Sequence, residues 1–350
     1  LSNGATVVIN TDGTVSVIET TDPGTPTFGS ATVFESANTQ ETAATFDTAN
    51  GKVVIAYRDS GNSQYGTAIV GTVSGTSISF GSAVVFESAD TRDASAIFDS
   101  TNNKVVITDR DNGNSQYGTA IVGTVSGTSI SFGSAVVFES AASHNSAATF
   151  DSSNGKVVIA YRDDGNSYYG TAIVGTVSGT SISFGTPVVF NSATTTQIGA
   201  GFDSSNGKVV IAYRDGGNSE YGTAVVGTVS GTSISFGTPV LFTDSDGRFN
   251  TVTFDSNTNR IIISYYDDGN SNYGTAVEGS VTGTAVTFGS PVVFESADIG
   301  DKSATFDSTN NKVVIAYNDN GNSAYGTAIV ATSTTSTNLT SENFIGFSDA

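Results

Sequence analysis

Apolar and polar positions alternate in short bursts along this chain, and the bursts keep returning in the same order. Residues 147–190 read AATFDSSNGKVVIAYRDDGNSYYGTAIVGTVSGTSISFGTPVVF. A short strand, Ala147–Phe150, ends at the turn DSSNG, and a β-branched run, Lys156–Tyr161, follows as a second strand. The polar loop RDDGNSYYG leads to a third strand, Thr171–Val177. The turn SGT then leads to a longer fourth strand, Ser181–Phe190. Gly, Asn, Asp and Ser bound every run, which is the mark of tight turns between short strands. No stretch sustains a 3.6-residue apolar period, so no helix is expected.

The unit repeats. Phe-Asp pairs stand at Phe46, Phe98, Phe150, Phe202, Phe254 and Phe306, each 52 residues after the last. That period suits a four-stranded propeller blade and is long for most solenoid repeats. The reading is an all-β chain, one β-propeller domain over 1–350, with repeats starting near 43, 95, 147, 199, 251 and 303. The N-terminal stretch supplies a second, third and fourth strand (Thr6–Asn10, Thr14–Glu19, Thr25–Ser36). The tail, where Phe347-Ser348-Asp349 echoes Phe-Asp, would add the missing inner strand. Residues 1–36 and 334–350 would then form a closing blade, the seventh, so that pairing of the two termini leaves no free sheet edge. Six blades with a terminal hairpin left over is the alternative.

Because the copies are nearly identical, their differences carry information. One variable patch precedes each first strand: NTQET (38–42), DTRDA (90–94), ASHNS (142–146), TTTQI (194–198), DGRFN (246–250) and DIGDK (298–302). The other is the loop Asp-x-Gly-Asn-Ser-x-Tyr-Gly after the second strand, whose second x reads Gln64, Gln116, Tyr168, Glu220, Asn272 and Ala324. In an up-and-down blade these two connections emerge on one face, while the nearly fixed turns DSSNG and SGT emerge on the other. A rigid scaffold carrying recognition loops has this one-sidedness. The alternative is neutral drift wherever packing permits it. The residues that break the repeat are the ligand-binding candidates: Arg92, His144, Gln197, Arg248, Phe249 and Lys302, with Tyr168 and Glu220 in neighbouring loops. Arg and Lys donate to hydroxyls or acidic groups, and Phe249 offers a face for stacking.

Composition then narrows the chemistry. Thirteen Lys+Arg against 33 Asp+Glu give a net charge of −20 and a pI near 4.1, which argues against nucleic acid and anionic membrane as partners. The apolar runs are too short for membrane insertion by a helix. The absence of Cys excludes disulfides and thiolate sites, and a single histidine, His144, would have to carry any Ser-His-Asp mechanism. A first residue other than Met suggests a processed chain or a piece of a longer one. The Asp that opens each Asp-x-Gly-Asn-Ser loop, Asp163 for example, is read as accepting bonds from its own turn, with Asn in the left-handed position. A Ca²⁺ site on these loops is the alternative, but one carboxylate per loop is few for calcium. No catalytic residue, metal or cofactor is assigned.

Two resemblances enter at this point. The stretch TAIVGTVSGTSISFGTPVVF resembles the strand-turn-strand unit of sialidase-like (Asp-box) propeller blades, with Gly179-Thr180-Ser181 and Phe184 where the box would carry its Asp and Trp. No arginine triad and no Tyr/Glu nucleophile pair accompanies it, so glycosidase activity is not implied. The whole repeat, YRDxGNSxYGTAIVGTVSGTSISFGSxVVFESA, is similar to arrays in tail-fibre-like and other structural proteins of marine phages. That similarity implies an extracellular or virion-surface location beside other virion or appendage subunits. The expectation is therefore a non-enzymatic propeller that binds a surface glycan or host receptor through one face. An architectural spacer without a ligand, or a degenerate glycosidase, are the competing expectations.

Overall fold

The structure is a computed structural model that describes residues 30–333, together with the backbone of Val7–Ile9 and Val15–Val17. The chain divides into two units, residues 1–31 and 32–350. In the first, Val7–Ile9 and Val15–Val17 pair antiparallel as a two-stranded sheet, with Val7 opposite Val17. The second is built of propeller blades.

Blade three shows the plan. Its second strand, Lys156–Asp163, pairs antiparallel on one side with residues 143–151 and on the other with Tyr169–Ser178. Lys156–Asp163 is VVIA-rich because a blade is covered on both faces, and such strands read as continuous apolar runs. Val157 and Ile159 pack toward blade two, in a cluster with Val106, Val122 and Phe138. Val158 and Ala160 pack toward blade four, with Val209, Ile211 and Tyr213. The hydrophobic core is thus a series of layers between blades, each about as dry as a domain interior.

Two expectations about local structure are corrected. The fourth strand is not continuous: Ser181–Phe184 pairs with the end of the third strand, and Val188 onward pairs with its beginning. The break falls at the Gly-x-x that follows each SISF. A side chain at Gly133, the equivalent break in blade two, would put Cβ 1.9 Å from the carbonyl oxygen of Thr180 in the neighbouring blade. Nor is there a loop between fourth and first strands. Val136–Asp151 is one 16-residue strand that leaves the outer edge of blade two and becomes the inner strand of blade three. The variable segment 142–146 lies within that strand, where the register shifts by a β-bulge between His144 and Ala147. The bulge lets one strand bend out of one blade and into the next.

Inner strands of neighbouring blades crowd together, which accounts for their small residues. A Cβ on Gly199 would lie 2.5 Å from the carbonyl oxygen of Asn250. Outer-strand phenylalanines seal each layer at its rim: Phe138 meets Tyr161 edge-on at 5.2 Å and Phe184 at 5.9 Å.

The described residues build six blades, in place of the seven expected. Blades one to five have all four strands, and blade six contributes Ile299–Asp307, Lys312–Asp319 and Tyr325–Ala331. Of the residues expected to close a seventh, 7–9 and 15–17 belong to the other unit, and 1–6, 10–14, 18–29 and 334–350 lie outside the described residues. Val73 in blade one is 55% exposed, whereas its counterpart Val177 in blade three is 5% exposed, although Tyr57 and Ile69 on the same face of blade one are buried.

Candidate functional site

The strand registers put all variable positions at one end of the blades. In blade three Ser143 lies opposite Asp163, and Asp163 opposite Tyr169, at the end remote from the Asp151–Lys156 and Ser178–Ser181 turns. At the turn end the lysine that opens the second strand has a structural duty: Lys156 Nζ donates to Thr176 Oγ1 at 2.8 Å, and Lys52, Lys104 and Lys208 do the same in their own blades.

On the variable face, the Asp-x-Gly-Asn-Ser loops are turns closed on themselves. Asp111 Oδ1 accepts from the backbone N–H groups of Gly113 and Asn114 at 2.8 and 3.1 Å, and Asp163 Oδ1 accepts from Asn166 N at 3.1 Å. The left-handed positions are not the Asn, as the sequence suggested, but the two residues after it. Ser167 has φ 56° and Tyr168 φ 64°, while Asn166 sits in a short 3₁₀ turn. Tyr168 O accepts from Thr195 N at 3.0 Å, which ties the loop to the strand crossing toward blade four. Among the described residues, no group of three or more acidic or histidine side chains is arranged to hold a metal ion.

The residues singled out in the sequence fall into two zones. In the first, around the ends of the second strands, Arg, Asp and aromatic groups form compact clusters. His144 stands opposite Arg162 in the blade-three register, and Arg162 Nη2 lies 2.7 Å from His144 Nδ1. Arg162 Nε donates to Asp164 at 2.7 Å, and the guanidinium lies 5.4 Å from the centre of the Tyr168 ring. Burial first, and the cationic Arg162 and Arg110 second, hold the His144 imidazole below the usual histidine range. With an arginine donating to Nδ1, the ring is the neutral tautomer protonated at Nε2. It is poorly placed to act as a base.

A larger cluster joins blades four and five. Asp246 accepts from Arg214 Nε at 2.5 Å and from Arg248 Nη2 at 2.6 Å, and Glu220 pairs with Arg214. Burial raises the Asp246 carboxyl, but hydrogen bonds from both arginines outweigh it and hold the group below its ordinary value. Arg248 sits 5.9 Å over the Tyr266 ring, and Phe249 meets the same ring edge-on at 6.1 Å. In blades one and two, Asp90 likewise accepts from Arg58 at 2.6 Å and faces Arg92 at 3.4 Å. Arg92 and Arg248 are therefore not the free donors that the sequence suggested. Each shares an aspartate with a second arginine, because the Asp stands two residues before it on the same strand.

The second zone lies where the inner-strand bulges meet. Asn145, Gln197 and Phe249 occupy the same repeat position in blades three, four and five, all left-handed, at φ 52°, 54° and 52°. They are linked in relay: Gln197 N donates to Asn145 Oδ1 at 3.3 Å, and Phe249 N to Gln197 Oε1 at 3.0 Å. Lys302 Nζ donates to the carbonyl oxygen of Phe249, and burial pushes its ammonium down to about 7. A cavity of about 210 Å³ opens between these residues and Ser146, Ile198, Asn250 and Asp301. Sequence reasoning found Gln197, Phe249 and Lys302, but it missed Asn145, Asn250 and Asp301, whose only signal was membership of the variable segments.

One further departure from the repeat lies inside blade two. Blades one, three, four and five each bury a tyrosine (Tyr57, Tyr161, Tyr213, Tyr265), where blade two has Asp109, 3% exposed. Its Oδ1 accepts from Thr119 Oγ1 at 2.9 Å, its Oδ2 is buried without a partner, and burial pushes the carboxyl up to about 8.

Comparison with known proteins bears on the fold. No protein-family model and no curated protein sequence matches this chain. Among solved structures, BP39L lectin from Burkholderia pseudomallei is similar with a TM-score of 0.59 at 11% identity, over 83% of this chain and 79% of that one. A protein of unknown function from Dyadobacter fermentans gives 0.58 at 12% identity, over 83% and 93%. Aleuria aurantia lectin in complex with α-methyl-L-fucoside gives 0.50 at 12% identity, over 83% and 90%. The chain has the propeller fold of these proteins. At such low identity the likeness shows the fold and nothing finer.

Proposed function

We propose that this protein is a non-enzymatic propeller, displayed on a virion or another extracellular assembly, that binds glycan through its variable face. One observation carries the reading. Six nearly identical blades differ mainly at one end, and there the differing residues assemble into a cavity and clusters of amide, charged and aromatic groups, the chemistry that polyhydroxylated ligands need. Two of the solved propellers it resembles are lectins, one of them holding a fucoside. The same groups support the non-enzymatic reading. Asp90, Asp164 and Asp246 are each engaged by arginine, and His144 receives a hydrogen bond at the nitrogen a base would use.

A purified-protein glycan array tests the proposal, run beside a variant whose six variable segments all carry the blade-three sequence. Binding by the parent and none by the variant supports it. A second reading, an architectural module without a ligand, draws on the mutual pairing of the charges on this face, which a stiff spacer would also need. It expects no saccharide to bind either protein.

A further inference from the structure

We propose that the cavity where the inner-strand bulges of blades three to six meet is the primary subsite of the variable face, and that it takes the uncharged, hydroxyl-rich terminal ring of a glycan. This rests on the glycan-binding reading and says where and what kind. At about 210 Å³ the cavity falls below the range that encloses drug-sized ligands, about 300–1,000 Å³, and suits a single sugar ring.

Its lining is unsatisfied in a particular way. Asn250 is 7% exposed, and its Nδ2 donates to the carbonyl oxygens of Gln197 at 2.8 Å and Gly247 at 3.4 Å. Those bonds fix the amide orientation and leave Oδ1 buried without a partner. A buried acceptor of this kind needs a donor. Gln197 and Asn145, which also line the cavity, spend their side-chain oxygens on the N–H groups of Phe249 and Gln197, which leaves their amide NH₂ groups as donors for a ligand. A hydroxyl both donates and accepts, so a polyol can satisfy Asn250 and the two amides together.

The apolar side of the pocket is equally specific. Phe249 is held at φ 52° and is 39% exposed, an unusual backbone state for a bulky side chain. It meets Tyr266 in a T-shaped pair at 6.1 Å, and its exposed ring surface can take the C–H face of a sugar. The charge pattern selects against acids. Lys302 is committed to backbone carbonyls, the neighbouring Asp301 is exposed, and the chain carries −20 overall. A carboxylated or sulfated sugar would enter against that field.

The test is calorimetric titration of the full 350-residue chain with methyl glycosides of neutral hexoses and N-acetylhexosamines, and with sialyllactose as the charged probe. The variants are Phe249→Ala, Gln197→Glu, Tyr168→Ala in the other cluster of the face, and Ser152→Ala in the opposite turn as the control. Gln197→Glu keeps the acceptor for Phe249 N and removes the NH₂ donors, so the fold is preserved while the recognition is not. The expected result is binding of at least one neutral glycoside. Phe249→Ala and Gln197→Glu should each weaken it about tenfold or more, while Ser152→Ala, at an exposed position of the opposite turn, stays within about twofold of the parent. If the first two variants bind as the parent does and Tyr168→Ala does not, glycan binding stands but this cavity is not the site. If only sialyllactose binds, the ligand class is wrong. If no saccharide binds the parent, this proposal and the reading of the face fall together.

Discussion

Replacing Asp109 with tyrosine would restore to blade two the residue that its neighbours bury, and the structure says what that is worth. Tyr57, Tyr161, Tyr213 and Tyr265 are fully buried, and Tyr161 meets an outer-strand phenylalanine edge-on at 5.2 Å. Phe86 waits in the same place beside Asp109. Burying an aromatic ring contributes about 1.5–3 kcal/mol, and an edge-to-face pair adds about 0.5–1.5 kcal/mol. Removing a buried carboxylate oxygen that lacks a partner recovers about 1–3 kcal/mol more. Thr119 would lose its acceptor, but Thr171, at the same position in blade three, donates instead to Tyr169 O at 3.5 Å, so Thr119 has a local alternative. The expected gain is about 3–7 kcal/mol, a rise in melting temperature of the order of 10 °C.

The pH dependence sharpens this prediction. With its folded-state value raised to about 8, Asp109 is protonated in the fold when the unfolded chain has already ionised. Its contribution is undiminished below the unfolded value near 4 and is lost as pH rises toward 8, at up to about 1.4 kcal/mol per pH unit. The stability gap between Asp109→Tyr and the parent should therefore widen from pH 5 to pH 8. Asp109→Asn should remove the same slope without supplying the ring. Thermal melts of the three proteins at pH 5, 6.5 and 8 measure this. A variant no more stable than the parent at pH 8, or a gap that does not change with pH, would refute the account of this site.

Other outcomes follow from the same contacts. Asp163→Ala should cost about 1–3 kcal/mol by removing the charge-assisted bond its carboxylate accepts from Asn166 N, with no change in the melting temperature of the parent on adding EDTA; a large EDTA effect would restore the calcium reading. Gly133→Ala should destabilise far more than an ordinary exposed Gly→Ala change, since its Cβ would strike the Thr180 carbonyl; denaturant titration decides. Asp246→Asn removes the charge shared by Arg214 and Arg248, whose hydrogen bonds hold that carboxyl below its ordinary value. The parent should lose this stabilisation as pH falls through the acidic range, and the variant should show less of that loss in acid melts.

Much of the fold was legible because it is written six times. KVVIAY, apolar on consecutive positions, announced a strand covered on both sides, and the turn-formers marked its ends. What stayed hidden depends on contacts between blades. Gly133 reads as a turn residue, and nothing local says that a neighbouring carbonyl forbids its side chain or that the fourth strand breaks there. Segment 142–146 looks like a loop because it varies, yet it is a bulged strand, and the bulge is set by the bend between two blades. The pairing of Arg92 and Arg248 with aspartates was available in the sequence as Asp-x-Arg within each segment, since alternate residues share a strand face. The relay Asn145–Gln197–Phe249 was not, because its members are 52 residues apart and meet only where inner strands converge. Asp109 was visible as the single acidic break in the tyrosine column, and its burial gives that break its meaning.

The central claim is that recognition belongs to one end of the blades. It is tested most directly by measuring glycan binding for two matched variants. In one, the six segments equivalent to 142–146 are made identical. In the other, the same number of substitutions is placed in the DSSNG and SGT turns at the opposite end, with both variants shown by thermal melting to be folded. The account predicts that the first loses saccharide binding and the second keeps the parent's affinity. Equal binding by both, or loss only in the second, would contradict it.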